Sequence, residues 1–575
     1  MRGSLFLIIL FLLVAYPVLA EKLPYQKIQR TIEQKGYSSA LKLANQLPEE
    51  EKFYLSGILE ERLGNYNGAI NFFQKELEKS KLLSDYCLFH IANNYYWQEN
   101  FPEAILYYQK AKPYFSKKSD YGYRILQRLA ESYEKTDCFE KAVKTYQKLG
   151  NNEALRQLKS LQKYLSSEEK FSLAIKVHYV RGKALFYSGK YQGALKEFDQ
   201  IYPKNKEIFY WKGHILQKLK KYREAISEYE KVNNNEGLWQ MARCYAKSKN
   251  YLKAIEILEK ILRSFPDKEI QARAVYFLGK YWEELGKTEK AKTAYNRLKK
   301  IPYSFYSYCA CQEGKISYAG SVNQATTTNN SRASSATTIG NSYTVNLSEL
   351  EKSPRFKRTL FLLKLGIREE AREELKNLAR KGYGKGKIFT FLHLYQEAKA
   401  YAQTINLGII LRDKNLIYPL YYQKIVEKYS KMYNLDTLLV FSIIWQESKF
   451  EKEDISSASA IGLMQIIPST GKDIAGGMRK GDYETAALFV PETNIMFGCY
   501  YFRYLLNNFD NDIILALCAY NGGPGNTRRW IADKRSNQEN DLDEFVEGIP
   551  FVETYDYVKK VISAYQEYQN LYKND

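Results

Sequence analysis

Glu447 is the residue through which this chain could do chemistry. Asp436 stands where it can cap a helix, and Leu438, Leu439, Val440, Phe441, Ile443 and Ile444 follow it. A helix apolar on every side is a buried helix. It delivers one carboxyl, Glu447, in its last turn. Burial and the negative end of the helix dipole both disfavour the charged carboxylate, so the pKa rises. A carboxyl kept protonated near neutral pH can act as a general acid. The alternative is a helix-end glutamate in a surface ion pair, which would do no chemistry. Beyond it, Ala460 to Pro468 reads as a turn of small residues in which Gly462 admits a close neighbour.

Two later stretches could serve the same site. Ala516 to Asn521 reads as a helix that stops into Gly522-Gly523-Pro524-Gly525, presenting Tyr520 and Asn521 at its end. Pro491 to Leu505, with Gly498 and Tyr501 at helical spacing, reads as an amphipathic helix with a small residue at a crossing. Glu453 and Asp454 follow Glu447 closely but read as solvated loop charges. The histidines (90, 178, 214, 393) all precede this region, which argues against a His-based triad or zinc site in it. Seven cysteines lack metal-site spacing and read mostly as small buried apolar residues. No metal and no cofactor is expected.

Together these blocks resemble a known family. Glu447-Ser448, Ser456 nine positions after the glutamate, Gly462-Leu463-Met464-Gln465, Ala519-Tyr520-Asn521-Gly522-Gly523-Pro524 and the stretch Ile549 to Val558 are similar to the motifs of the soluble, Slt-type lytic transglycosylases of peptidoglycan. The resemblance implies a lysozyme-like α+β domain in which Glu447 is the single catalytic carboxyl. It also implies that Ser456 holds Glu447, that Met464, Gln465, Tyr520 and Asn521 line the sugar cleft, and that Glu553 supports or binds sugar rather than catalysing. One acid suffices when the substrate supplies the nucleophile. The family's glutamate protonates the bond between N-acetylmuramic acid and N-acetylglucosamine, then takes a proton from the muramic acid 6-hydroxyl as a 1,6-anhydro ring closes. Two departures stand out: Gly522 replaces an alanine, and Tyr555 occupies a position where the family usually has arginine.

The elements that must position these residues are mostly α-helical. From 21 to 317 a turn, usually an aromatic, and an alanine three residues on recur, as at Tyr66/Ala69, Phe101/Ala104, Phe139/Ala142, Tyr191/Ala194, Tyr222/Ala225 and Tyr251/Ala254, with a weaker copy at Ala291. Their spacing scatters around the roughly 34 residues of a tetratricopeptide-like repeat and predicts a solenoid. The long gap between Ala142 and Ala194 predicts an irregular helix pair. In the family such a superhelix closes into a ring. Residues 318–347, rich in Ser, Thr and Asn, read as a linker. Residues 348–416 read as a small helical linker domain, and 417–575 as the lysozyme-like domain.

The chain has 575 residues, too many for one core, and a net charge of +21 with its basic residues spread throughout. Such a charge suits a polyanionic partner, but no compact nucleic-acid motif is present. Residues 1–20, with Arg2, an apolar run from Leu5 to Val14 and Val18-Leu19-Ala20, read as a signal peptide. An uncleaved anchor is the alternative. No later stretch is apolar enough to span a membrane. The expectation is an exported, periplasmic protein whose partner is the glycan strand, with further protein partners for the repeats. Two competing readings remain: a hydrolysing muramidase using Glu453 or Asp454 to position water, and a scaffold with an inactive lysozyme-like domain.

Overall fold

The computed structural model describes residues 27–317 and 352–573, apart from 29, 33–35, 118, 150–151, 162–166, 381–387, 457, 480–482 and 537–541. Residues 1–20, read as a signal peptide, and all of 318–347, read as a linker, lie outside the described residues. The described residues are helical almost throughout. Their β structure is confined to two isolated antiparallel bridges, Ile455 with Ile461 and Ile461 with Ile466. No helix among them is long and apolar enough to cross a membrane.

Helix hairpins follow the repeat signature. Ala69, Ala104, Ala142, Ala194, Ala225, Ala254 and Ala291 are all buried, as expected of residues that let a second helix approach the first. Four of the seven approaches, those of Ala69, Ala194, Ala225 and Ala291, have a counterpart that the signature did not include. A glycine on the first helix takes an aromatic from the second: Gly57 with Phe73, Gly182 with Phe198, Gly213 with Tyr229 and Gly279 with Tyr295. A Cβ at any of these glycines would fall within 3.0 Å of the ring, so side-chain removal sets the helix spacing. The long gap holds a short extra helix, Asn152–Ser160, before the helix Ser167–Tyr187.

Packing groups the chain into two units, each assembled from two distant segments: 1–174 with 341–400, and 175–340 with 401–575. This grouping divides both the repeats and the 348–416 segment that the sequence reads as single domains. In the first unit, the hairpin of Pro354–Leu365 and Arg368–Ala379 is fastened to the early repeats by buried charge. Arg358 pairs with Asp85 (2.6 Å) and Glu374 (3.0 Å). His90 lies between Glu61 (2.9 Å) and Glu370 (3.2 Å). Burial pushes the His90 pKa down, but the two carboxylates outweigh it and raise it to about 9.

In the second unit one continuous core runs from the last repeats, through Trp239, Phe277 and Tyr306, to Phe441, Phe502 and Tyr568. Its spine is the 21-residue helix Val552–Tyr572, which packs on Thr437–Ser448, Ile513–Gly522 and Phe305–Gln312. All seven cysteines are free. Five of them, Cys87, Cys244, Cys309, Cys499 and Cys518, are buried, in keeping with a packing role.

Candidate active site

The helix Thr437–Ser448 is built as the sequence implies. Asp436 accepts from the backbone N–H of Leu438 (2.8 Å) and Leu439 (3.2 Å), and the Tyr565 hydroxyl donates to its other oxygen. Leu439, Val440, Phe441, Ile443 and Ile444 are buried. The helix ends at Lys449 and Phe450, both left-handed (φ 48° and 68°). The Ser448 hydroxyl donates to the Leu463 carbonyl at 2.8 Å, which ties the helix end to the following loop.

Glu447 sits in that last turn with its side chain partly accessible and closely surrounded. Burial is the main cause that raises its pKa to about 8. The Tyr557 hydroxyl acts in the opposite direction, favouring the carboxylate, and the charge of Glu553 adds to the rise. Tyr557 is buried, and its hydroxyl faces Glu447 without meeting any partner at strict hydrogen-bonding geometry. Tyr520 also feels the Glu447 charge, as Tyr557 feels Tyr520. The carboxyl therefore lies in a nest of two phenols. At neutral pH it holds its proton.

The loop 460–466 is clamped from behind by Asn494, a fully buried residue. Its amide Nδ2 donates to the carbonyls of Ile461 and Leu488 (both 2.8 Å), and its Oδ1 accepts from the Met464 N–H (2.7 Å). Gly462 is required here: its φ is +79°, and a Cβ would lie 2.4 Å from Asn494 and 2.6 Å from the Leu488 carbonyl. Met464 is buried against Gly498 on the helix Pro491–Asn508. Its carbonyl accepts from the Tyr520 hydroxyl at 2.7 Å. Asn521 Oδ1 accepts from Thr554 (2.7 Å), on the first turns of the Val552–Tyr572 helix. Four elements are thus locked around Glu447 by polar bonds between their ends.

The predicted residues fall into three groups. Tyr520 lies beside Glu447, while Met464 and Asn521 hold the loop and the helix end that frame it. Glu553 is exposed and acts on Glu447 through its charge. Ser456 and Gln465 are differently employed. The Ser456 hydroxyl accepts from the N–H groups of Ala458 (3.2 Å) and Ala460 (3.1 Å), and none of its bonds reaches Glu447. Gln465, in a left-handed conformation, donates to the carbonyls of Asp454 and Gly462. Both close the loop on itself. Glu453 and Asp454 are exposed. Tyr555, at the family's arginine position, turns to the repeats: it donates to Glu547 (2.9 Å) and accepts from Arg273 and Lys559 (both 3.1 Å). Sequence reasoning gave no role to Tyr557, Asn494 or Ser448. Asn494 gave little signal, since it follows Glu492 and Thr493 in the first turn of an amphipathic helix.

The side chains gathered at the site are a carboxyl and two phenols. Comparison with known proteins fits this geometry. Residues 424–542 match the family model of the transglycosylase SLT domain. Residues 206–234 and 236–268 match tetratricopeptide repeats. The soluble lytic murein transglycosylase of Salmonella typhimurium is 38% identical over 152 residues, 26% of this chain and 23% of that protein. That of Escherichia coli is 35% identical over 159 residues, 28% of this chain and 24% of its own. The matches thus span about a quarter of the curated relatives' length. The solved complex of the 70-kDa soluble lytic transglycosylase with bulgecin A shares the fold, with a TM-score of 0.51 at 17% identity over 97% of this chain and 92% of that one. The C-terminal part thus matches a transglycosylase SLT domain, and the segments that match tetratricopeptide repeats precede it.

Proposed function

We propose that the protein is a peptidoglycan lytic transglycosylase acting on the β-1,4 bond between N-acetylmuramic acid and N-acetylglucosamine. The observation that carries this reading is Glu447: partly accessible, with its pKa raised to about 8, beside Tyr520 and Tyr557. Retaining and inverting glycosidases set two carboxyls across the scissile bond. Here Glu553 is the carboxyl that acts on Glu447, and it is exposed. A single acid suits a reaction in which no water is consumed. Glu447 gives its proton to the glycosidic oxygen, and the bond from that oxygen to the muramoyl C1 breaks. The resulting carboxylate takes the proton of the muramoyl 6-hydroxyl as that oxygen bonds to C1. Glu447 ends protonated, as it began.

The remaining assignments follow from position. Tyr557 stabilises the carboxylate between the two proton transfers. Met464, Tyr520 and Asn521 shape the cleft, and Glu553 stands at its rim. Ser456 and Gln465 belong to the wall through the loop they stiffen. The substrate places the protein outside the cytoplasm, in agreement with the signal-like residues 1–20. The repeats offer surfaces for protein partners.

Digestion of purified sacculi tests the reading. Mass spectrometry of the released muropeptides is expected to find 1,6-anhydro ends, and Glu447→Gln to lower their yield by about 10²–10⁴-fold while the melting curve stays cooperative. Reducing ends in their place would mean hydrolysis. Binding of sacculi without any product would mean a scaffold.

A further inference from the structure

The cleft around Glu447 has a neighbour that belongs to the repeats. Tyr187 ends the helix Ser167–Tyr187 and lies in the unit 175–340 with 401–575. Its ring is 4.6 Å from that of Phe551, set edge to face at 70°. It also lies 5.8 Å from the ring of Trp211, at 86°. Phe551 in turn stands 5.1 Å from Trp530. Trp530 takes the room that Gly522 leaves: a Cβ at 522 would fall 2.7 Å from the indole. Gly522 directly follows Asn521, so a row of aromatic rings runs from the helix end that frames Glu447 out to the repeats.

This row ends on accessible groups. Tyr187 is half-buried, and its hydroxyl meets no hydrogen-bond partner among the described residues and opens to solvent. Phe551 is half-buried too. The next two residues are exposed: Val552, an apolar side chain at 45%, and the carboxylate of Glu553. Burial raises the Tyr187 pKa, and the charge of Glu553 adds to the rise, as it does for Glu447. Glu553 therefore stands within electrostatic reach of both the cleft and the repeats. The Tyr187 ring is braced by two others, so little ordering entropy is lost when a ligand meets its hydroxyl.

A pyranose carries hydroxyls at its edge and C–H groups on its faces. The hydroxyls suit the phenol of Tyr187 and the carboxylate of Glu553, and a face suits the apolar side chains of Phe551 and Val552. We infer that Tyr187 completes an outer sugar subsite at the Glu553 rim of the cleft, where its hydroxyl bonds a saccharide unit of the glycan strand beyond the units held at Glu447. The choice of a glycan strand rests on the transglycosylase reading, in which the substrate is a polymer that extends past the scissile bond. Through Glu553 the subsite is continuous with the cleft. It gives the repeats a direct hold on substrate, which residues 417–575 alone would lack.

Calorimetric titration of the full chain tests the subsite, with Glu447→Gln in every sample to prevent turnover. One probe is size-fractionated glycan strands stripped of their peptides by an amidase, and the other is the same strands with peptides attached. The stripped strands are expected to bind, and Tyr187→Phe to weaken that binding roughly threefold to tenfold, the contribution of one uncharged hydrogen bond. The ring and its packing on Phe551 remain in this variant, so the loss reads the hydroxyl alone. Tyr187→Ala should weaken binding further. Unchanged affinity in Tyr187→Phe would overturn the proposal whatever Tyr187→Ala does, as would no binding of stripped strands to the chain that keeps Tyr187. Dependence on Tyr187 seen only with peptide-bearing strands would also overturn it, since the contact would then be to peptide. Anhydro products from the wild-type chain alongside Tyr187-independent binding would sink this subsite and leave the role of Glu447 standing. Tyr187-dependent binding by a chain that releases no anhydro products would do the reverse.

Discussion

Glu447 owes its proton to where it stands, and pH should reveal this twice. Its pKa is raised from 4.5 to about 8. Between those values the folded chain keeps a proton that the unfolded chain has lost, so stability falls as pH rises. The slope is on the order of 1 kcal/mol per pH unit. Glu447→Gln has no such group, so its melting temperature should gain on the wild type steadily from pH 5 to pH 8. Anhydro-product formation should drop by about 10²–10⁴-fold in the same variant. Tyr557→Phe removes a group that favours the carboxylate. The Glu447 pKa should then rise further, moving the alkaline limb of the pH–rate profile to higher pH. The acid itself was legible in the sequence because an apolar run ends on one carboxyl. Its neighbour was not: the family resemblance implied Ser456 as the holder, yet the loop folds that hydroxyl onto its own backbone, and a tyrosine from the last helix faces the carboxyl.

At the scale of elements, the site depends on how helix ends are bolted together. Asn494→Ala would leave the Met464 N–H and the Ile461 and Leu488 carbonyls without their buried partner. Denaturant unfolding should show a loss of roughly 2 kcal/mol or more. Gly462→Ala forces both a left-handed conformation and a collision, and should cost about 1–3 kcal/mol. In the other unit, the His90 pKa stands at about 9. A raised histidine pKa gives stability that is complete below about 6.5 and is lost as pH passes 9. Protection factors in the Pro354–Ala379 hairpin, corrected for base-catalysed intrinsic exchange, should therefore fall between about pH 6.5 and 9 in the wild type. The helices and their order were readable from hydrophobic period and from the recurring alanines. The glycine–aromatic pairs and the buried ion pairs were not, since both join positions whose nearness only the fold creates.

At the scale of the whole molecule, the core of the second unit does not respect the sequence boundary at 417. Trp239 and Tyr306 bond to Glu547, and Phe277 and Phe305 share a core with the last helix. A fragment of 401–575 alone should melt at a lower temperature than one that also carries 175–317, as calorimetry can show. Composition marked the repeats and the SLT domain as distinct, and packing joins part of one to the other. The first unit is likewise built from two far-apart pieces, and this bears on how it is made. Asp85 leaves the ribosome 273 positions ahead of Arg358, on the order of tens of seconds at ordinary elongation rates. Throughout that wait Asp85 and His90 lack Arg358 and Glu370, so the early repeats go without these cross-pairings until more than half the polypeptide has been made.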